Sequence, residues 1–139
     1  MSSEFPPTVE ELYETFDDLV EWDERYDFII DLGRELPEID ASLQTEDHIV
    51  EGCMSTVWMK VDAKAEEPVE IAADSDSIIV KGLIVVLLAY YHGMNASQIV
   101  ESDASNYLKN LGLNQHLSPQ RRNGLFSMIK RLKFLCTAA

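Results

Sequence analysis

The sequence predicts an α+β fold, in which a small antiparallel β-sheet packs against several helices. Apolar residues recur with helical spacing in the first third of the chain and again after residue 77. Between these two regions, apolar and polar residues alternate over two short segments, which is the pattern of half-buried strands. The 139 residues suit one domain, since domains most often have roughly 100–150 residues. We therefore expect a single domain over residues 1–139, with residues 1–7 as a disordered N-terminus.

Two helices are predicted before the strands. Thr8 followed by Glu11 is a capping box, so the first helix should begin near Thr8. The second helix should end at Gly33, ahead of Pro37. Its apolar face consists of Trp22, Tyr26, Ile29, Ile30 and Gly33.

The middle of the chain predicts a hairpin. Residues 56–61 and residues 69–73 each alternate between apolar and polar side chains. The segment between them is acidic and contains Pro68, so we expect two antiparallel strands joined by a longish loop.

The remainder is predicted to be helical. A helix from about Ser77 to Tyr91 is apolar nearly all round and should form the centre of the core, with N-cap candidates in residues 74–77. Shorter helical pieces are expected at residues 96–101 and 106–111. Ser118 and Pro119 supply an N-cap and a first-turn proline for the last helix. The apolar stripe of that helix is Leu125, Met128, Ile129, Leu132 and Cys136.

The charge is unevenly distributed along the chain. The 25 acidic and 11 basic residues give a net charge of −14, which excludes nucleic acid as a main ligand because phosphate binding needs clustered Lys and Arg. Residues 1–51 hold 17 of the acidic residues, whereas residues 106–139 hold six basic residues and no acidic one. We expect a dipolar molecule, unless the fold returns the basic end to the acidic one.

The two cysteines, Cys53 and Cys136, exclude several classes of protein. Structural zinc sites and iron–sulfur clusters usually need three or four closely spaced ligands, and disulfide-rich secreted domains need more cysteines. The N-terminal residues do not resemble a signal peptide, and the longest apolar run, residues 82–91, is well short of the ~20 residues that span a bilayer. We expect no metal site, no membrane contact and a cytoplasmic location.

Cys53 is the candidate reactive residue. It lies between a helical region and the first predicted strand, next to Gly52, which permits unusual backbone conformations. A simply buried cysteine fits this position equally well. Three acidic neighbours should disfavour the thiolate: Glu46, Asp47 and Glu51. Cys136, on the apolar stripe of the last helix, is expected to be a packing residue or part of a frayed terminus.

His48 and Arg121 are further candidates. His48 is the one local base for Cys53, but a solvated loop histidine is a better interpretation than a Cys–His hydrolase. Arg121 starts on the apolar face of the last helix and therefore needs a partner. A structural salt bridge to an acid of the first half, or a side chain that extends to solvent, is the simplest interpretation.

Five groups of segments occur in an order and spacing typical of one family. They are Trp22-Asp23-Glu24-Arg25-Tyr26 with Leu32-Gly33 and Leu36-Pro37; Val50 to Trp58; Asp74 to Leu83; Leu111-Gly112-Leu113; and His116 to Arg121 with Asn123-Gly124-Leu125. From about Leu12 to Leu132, the chain resembles the SufE/CsdE family of sulfur acceptors for cysteine desulfurases. Met54 is a departure, because family members usually carry Gln after the cysteine.

The resemblance implies a sulfur carrier without turnover of its own. Cys53 would take persulfide sulfur from a cysteine desulfurase of the SufS/CsdA type, stimulate that enzyme and pass the sulfur to an iron–sulfur scaffold complex. The pyridoxal phosphate (PLP) would be on the partner, and this chain would hold no cofactor. The family fold resembles the cluster scaffold proteins (SufE/IscU-like), with a partly sheltered cysteine, and a homodimer remains open. Residues expected to support the loop or the docking are Gly52, Ser55, Asp76 and Arg121.

A binding module is the alternative from another class. In that case the acidic first half docks a basic surface, and Cys53 is structural. The variant Cys53→Ser separates the two hypotheses, because an adaptor keeps its effect on a partner without the thiol.

Overall fold

A computed structural model describes residues 5–64 and 66–137. The predicted α+β class is confirmed, because a two-stranded antiparallel sheet packs with helices that precede and follow it. The N-terminal disorder stays a prediction: residues 1–4 lie outside the described residues, and residues 5–7 lead into the first helix. The helices are α1 (Val9–Asp18), α2 (Trp22–Glu35), α3 (Ile78–Tyr91), α4 (Ala96–Glu101), α5 (Ser105–Asn110), α6 (Leu113–His116) and α7 (Pro119–Thr137), with 3₁₀ turns at Ala41–Leu43 and Glu46–His48.

Helices α2 and α3 cross so closely that each needs a glycine. A Cβ at Gly82 would overlap the carbonyl oxygen of Ile29, and a Cβ at Gly33 would lie 2.5 Å from the carbonyl oxygen of Ile78. Gly33 therefore lies within α2, which continues to Glu35. The prediction that Gly33 ends the helix is wrong, because this glycine serves the helix crossing. The helix ends shortly before Pro37, which disfavours helical backbone in the residue that precedes it.

The sheet is the predicted hairpin, with the first strand shifted by one residue and the second strand extended at its end. Strands β1 (Val57–Asp62) and β2 (Glu70–Ser75) pair in antiparallel register, from Val57 opposite Ser75 to Asp62 opposite Glu70. Because β2 continues to Ser75, the N-cap of α3 is Ser77, whose hydroxyl accepts from the Val80 amide at 3.5 Å. Two residues, Asp76 and Ser77, thus separate the end of the strand from the start of the central helix.

Helix α3 is the centre of the core, as predicted. Its buried side chains face α2, β2 and α7, which leaves no polar face: Ile79, Leu83, Ile84, Val85, Val86, Leu87, Ala89 and Tyr91. Helix α7 packs against α4 and buries most of the predicted stripe, including Cys136, which is 3% exposed. The prediction that Cys136 is a packing residue is confirmed.

The first and last turns of α1 are both capped by side chains. Thr8 and Glu11 form the predicted capping box at the start. At the end, the Arg25 guanidinium donates to the carbonyl oxygens of Leu19 at 2.6 Å and Phe16 at 2.8 Å. Arg25 therefore fixes the junction between α1 and α2.

Helix α6 was not predicted, because four residues are too few to show a helical period. It follows Gly112, whose φ is +77°. The ring of His116, at the end of α6, stacks on Trp22 with centroids 4.3 Å apart. The first and last thirds of the chain therefore meet at this contact.

The positive charge of α7 is not neutralised by ion pairs. In residues 5–64 and 66–137 the ion pairs are Arg34 with Asp31 and Lys81 with Asp74. Cations of α7 bind carbonyl oxygens instead: Arg122 binds that of Asn114, and Lys133 that of Ser102. Within the described part of the chain, no helix is long and apolar enough to cross a membrane.

Candidate functional site

The predicted reactive cysteine lies at the tip of a short loop, residues 51–56, which we call the cysteine loop. Its start is fixed because the Val50 amide donates to the Val57 carbonyl oxygen at 2.8 Å. Its end is fixed by the β2–α3 junction. There the Thr56 amide donates to Asp76 Oδ1 at 3.1 Å, and Ser75 Oγ donates to the Thr56 carbonyl oxygen at 2.8 Å. Both ends of the cysteine loop are therefore anchored to the hairpin.

The tip of the cysteine loop rests on helix α7. The Cys53 thiol donates to the carbonyl oxygen of Gly124 at 3.7 Å. A Cβ at Gly124 would lie 3.6 Å from Cys53 Sγ, and a Cβ at Gly52 would lie 2.5 Å from Ser127 Oγ. The backbone at Gly52 has φ of +93°, a conformation that favours glycine. Gly52 is thus required both by its backbone conformation and by the closeness of α7.

Cys53 lines a cavity of about 450 Å³ between the cysteine loop and the first turns of α3 and α7. The floor of this cavity is apolar, and its rim carries hydroxyl, amide and guanidinium groups. The thiol is partly buried, whereas the neighbouring Met54 is 80% exposed. The lining residues besides these two are Ser55, Ser77, Val80, Leu83, Ser118, Gln120, Arg121, Gly124, Leu125 and Met128.

Arg121 reaches the cavity from the first turn of α7. Its guanidinium donates to the Tyr26 hydroxyl and lies 5.5 Å from the centre of the Tyr26 ring. Among the described residues it has no acidic partner, so the salt-bridge interpretation is wrong. An aromatic ring with a hydroxyl group satisfies an arginine without a buried carboxylate. Ser118 caps this turn, since its Oγ accepts from the Arg121 amide at 3.3 Å.

Burial raises the pKa of the Cys53 thiol. The direction agrees with the sequence prediction, but the cause does not. Desolvation acts on this thiol, and the carboxylates of Glu46, Asp47 and Glu51 make no identified contribution. His48 faces Thr45, with 3.1 Å between its Nδ1 and the Thr45 hydroxyl. The surroundings of the thiol therefore disfavour its thiolate form.

Comparison with known proteins agrees with this geometry. The family model of the SufE domain, described as an Fe-S metabolism associated domain, matches residues 10–136. An uncharacterized SufE-like protein of Rhizobium meliloti (strain 1021) is 40% identical over 129 residues, which cover 91% of this chain and 92% of that protein. The chain belongs to the SufE family. Its role accordingly lies in Fe–S metabolism.

The fold of this SufE-family chain also matches a solved structure. The solution structure of a hypothetical protein from Thermus thermophilus aligns with a TM-score of 0.74 and covers 98% of both chains. The two sequences are 19% identical, so this likeness concerns the fold alone.

The structure brings most of the predicted SufE site residues together. Cys53, Ser55 and Arg121 line one cavity, and Gly52 holds the loop tip against α7. Asp76 lies outside the cavity lining and binds the end of the cysteine loop. No group of three His, Cys, Asp or Glu side chains in the described part of the chain could hold a metal ion.

Sequence reasoning assigned no site role to four residues: Tyr26, Thr56, Gly124 and Ser127. Gly124 carried a usable signal, because a glycine inside a predicted helix often marks a close backbone approach. Tyr26 was placed on the apolar face of α2, but nothing in the sequence indicates that Arg121 packs on it. Thr56 and Ser127 act through backbone and surface contacts that leave no pattern in the sequence.

Proposed function

We propose that this protein is a sulfur carrier for iron–sulfur cluster assembly. Cys53 accepts persulfide sulfur from a PLP-dependent cysteine desulfurase, stimulates that enzyme and passes the sulfur to a cluster-building scaffold. The observation that carries the proposal is a thiol at the tip of an anchored loop, beside a cavity, in a chain of a family associated with Fe–S metabolism. The PLP belongs to the desulfurase, and this chain contributes the acceptor thiol.

The transfer is a thiol exchange at sulfur. The Cys53 thiolate attacks the outer sulfur of the desulfurase persulfide, so that one S–S bond forms and one breaks. The desulfurase cysteine leaves as a thiolate and regains the proton that Cys53 lost. No electrons are gained or lost overall, because one thiol and one persulfide exchange roles. A single cysteine is therefore sufficient.

The cavity suits the product of this step. An S–S bond of about 2.05 Å places the outer sulfur beyond Cys53 Sγ, and the cavity of about 450 Å³ beside Cys53 has room for it. Its lining includes Leu83, Leu125 and Met128, so the outer sulfur would lie against apolar side chains. Reductants and metal ions dissolved in water would then reach the bound sulfur less readily.

The raised pKa of the Cys53 thiol fits a carrier that waits for its partner. A protonated thiol is a poor nucleophile, so the free protein is protected against unspecific oxidation. Docking that moves the thiol out of its apolar surroundings would restore the thiolate. In this proposal Asp76 supports the loop, while Ser55 and Arg121 form the rim that meets the desulfurase.

The test measures alanine and sulfide production by a cognate cysteine desulfurase with and without this protein. We expect stimulation by the unaltered chain and by Cys136→Ser, and none by Cys53→Ser. Cys136→Ser is the matched control, since it removes the thiol that packs in the core. Equal stimulation by Cys53→Ser would contradict the carrier and support the acidic adaptor instead.

A further inference from the structure

The cysteine loop is held in two different ways. Its ends are bonded to the hairpin through Val57, Ser75 and Asp76. Its tip, in contrast, contacts α7 through one long hydrogen bond from Cys53 to Gly124 and through the packing of Gly52 on Ser127. The ends of the cysteine loop are therefore held by more hydrogen bonds than its tip, whose contacts are with α7.

Gly124 and Ser127 are one helical turn apart and lie on the same face of α7. Gly124 has no side chain, so the Cys53 sulfur can approach its carbonyl oxygen. Ser127 has a small side chain, and its Oγ would lie 2.5 Å from a Cβ added at Gly52. A larger side chain on either side of that contact must be accommodated by rotation of the Ser127 hydroxyl group or by movement of the loop tip.

We propose that Ser127 is a positioning residue, which through its contact with Gly52 sets how far the Cys53 thiol is withdrawn from solvent and from a partner. The inference deepens the proposed function, and its reactivity test needs no desulfurase. When the contact is intact, the thiol lies against Gly124 with its sulfur partly buried. When the contact is disrupted, the tip leaves α7 while the ends of the cysteine loop keep their hydrogen bonds.

The first experiment measures the alkylation rate of Cys53 by iodoacetamide in the full chain at pH 7, with peptide mass spectrometry to separate Cys53 from Cys136. Gly52→Ala inserts a methyl group against Ser127 Oγ. We expect it to raise the rate about tenfold, because a thiol that leaves its apolar surroundings forms the thiolate more readily. Ser127→Leu adds bulk from the α7 side and should act in the same direction without placing a side chain at Gly52, whose φ is positive.

Gly93→Ala is the matched control. Gly93 also has a positive φ, +85°, but no neighbouring heavy atom lies within 4 Å of where its Cβ would be. The variant therefore carries similar backbone strain without a steric clash and should alkylate at the rate of the unaltered chain. Thermal unfolding of each variant shows whether the folded state is retained.

The double variant Gly52→Ala with Ser127→Ala shows whether faster alkylation comes from a steric clash with Ser127 Oγ or from backbone strain at residue 52. Removing Ser127 Oγ leaves the new methyl group with its next contact at 3.3 Å, so alkylation should be at least threefold slower than in Gly52→Ala alone. If the double variant reacts as fast as the single one, or if Ser127→Leu reacts at the unaltered rate, the positioning role of Ser127 is refuted.

A second readout connects the positioning role to sulfur transfer. Suppose that the tip must leave α7 before sulfur is transferred. A larger fraction of the molecules of a variant with a displaced tip is then ready to bind the desulfurase, and the apparent dissociation constant is lower. Ser127→Leu should then half-saturate the desulfurase at a lower concentration and leave the saturated rate unchanged. Alkylation effects without any stimulation would support the role of Ser127 and refute the carrier. Stimulation with an unchanged half-saturating concentration would refute the link between tip release and transfer.

Discussion

The two cysteines have the same chemistry but different surroundings. Cys53 lies at the tip of a loop, partly buried beside a cavity, and its sulfur is held by one hydrogen bond to Gly124. Cys136 lies on the last turns of α7 and is 3% exposed within the core. Burial raises the pKa of both thiols. The direction of the pKa shift therefore does not distinguish the two cysteines, whereas their positions, one on a loop tip and one in a helix of the core, do.

The largest expected difference between Cys53 and Cys136 is in their alkylation rates. Cys136 lies one residue before the end of α7, and it becomes accessible when the last turn of α7 separates from α4, which breaks the packing of a side chain that is 3% exposed. Cys53 needs only a movement of the loop tip. We expect Cys53 to react with iodoacetamide about a hundredfold or more faster in the native chain, as measured by peptide mass spectrometry. Equal rates would show that the two environments do not differ.

A core substitution sharpens this contrast. Leu132, one turn before Cys136, is 2% exposed, and Leu→Ala at such a site costs about 2–5 kcal/mol of unfolding free energy. Leu132→Ala should lower the urea midpoint and raise the alkylation rate of Cys136. The rate of Cys53 should stay unchanged as long as the chain is folded. Met54→Ala, at an exposed position, is the control that should leave stability within about 0.5 kcal/mol.

Asp76→Ala tests the anchored end of the cysteine loop. The substitution removes the acceptor of the Thr56 amide, and a hydrogen bond of this kind contributes about 1 kcal/mol. We expect a loss of that size in urea unfolding and a few-fold faster alkylation of Cys53, with Cys136 unaffected. Asp76→Asn retains an acceptor oxygen and should behave as the unaltered chain. If both variants react alike, the charge of Asp76 rather than its hydrogen bond holds this end of the cysteine loop.

The smallest expected effect is the pH dependence of stability. Because burial raises the thiol pKa in the folded state, the native chain holds its proton at pH values where the unfolded chain has lost it. This contribution is complete below the ordinary thiol pKa of about 8.5 and is lost as pH rises through the raised value. The free energy of unfolding, measured with urea under reducing conditions, should therefore decrease from pH 7.5 to pH 9.5. Cys53→Ser should reduce this pH dependence. An unchanged pH dependence would show that the Cys53 thiol is not its source.

Much of the fold could be predicted from the sequence. The apolar α3, the alternating strands and the Thr8 capping box are local signals that tertiary contacts reinforce. The role of Gly33 could not be predicted, because a glycine that ends a helix and a glycine at a helix crossing look the same in one sequence. The site was predictable in part, since Cys53 and Arg121 could be singled out. The packing of Arg121 on Tyr26 and of Gly52 on Ser127 depends on contacts between distant segments.

The central claim is that Cys53 carries sulfur, and the mass of the chain tests it most directly. The full chain is incubated with a cognate desulfurase and free cysteine, then digested without reductant. The account predicts an addition of about 32 Da, one sulfur atom on a thiol, on the peptide that contains Cys53. That addition should disappear on treatment with a reductant. An unmodified Cys53 peptide, or sulfur on Cys136 alone, would contradict the account.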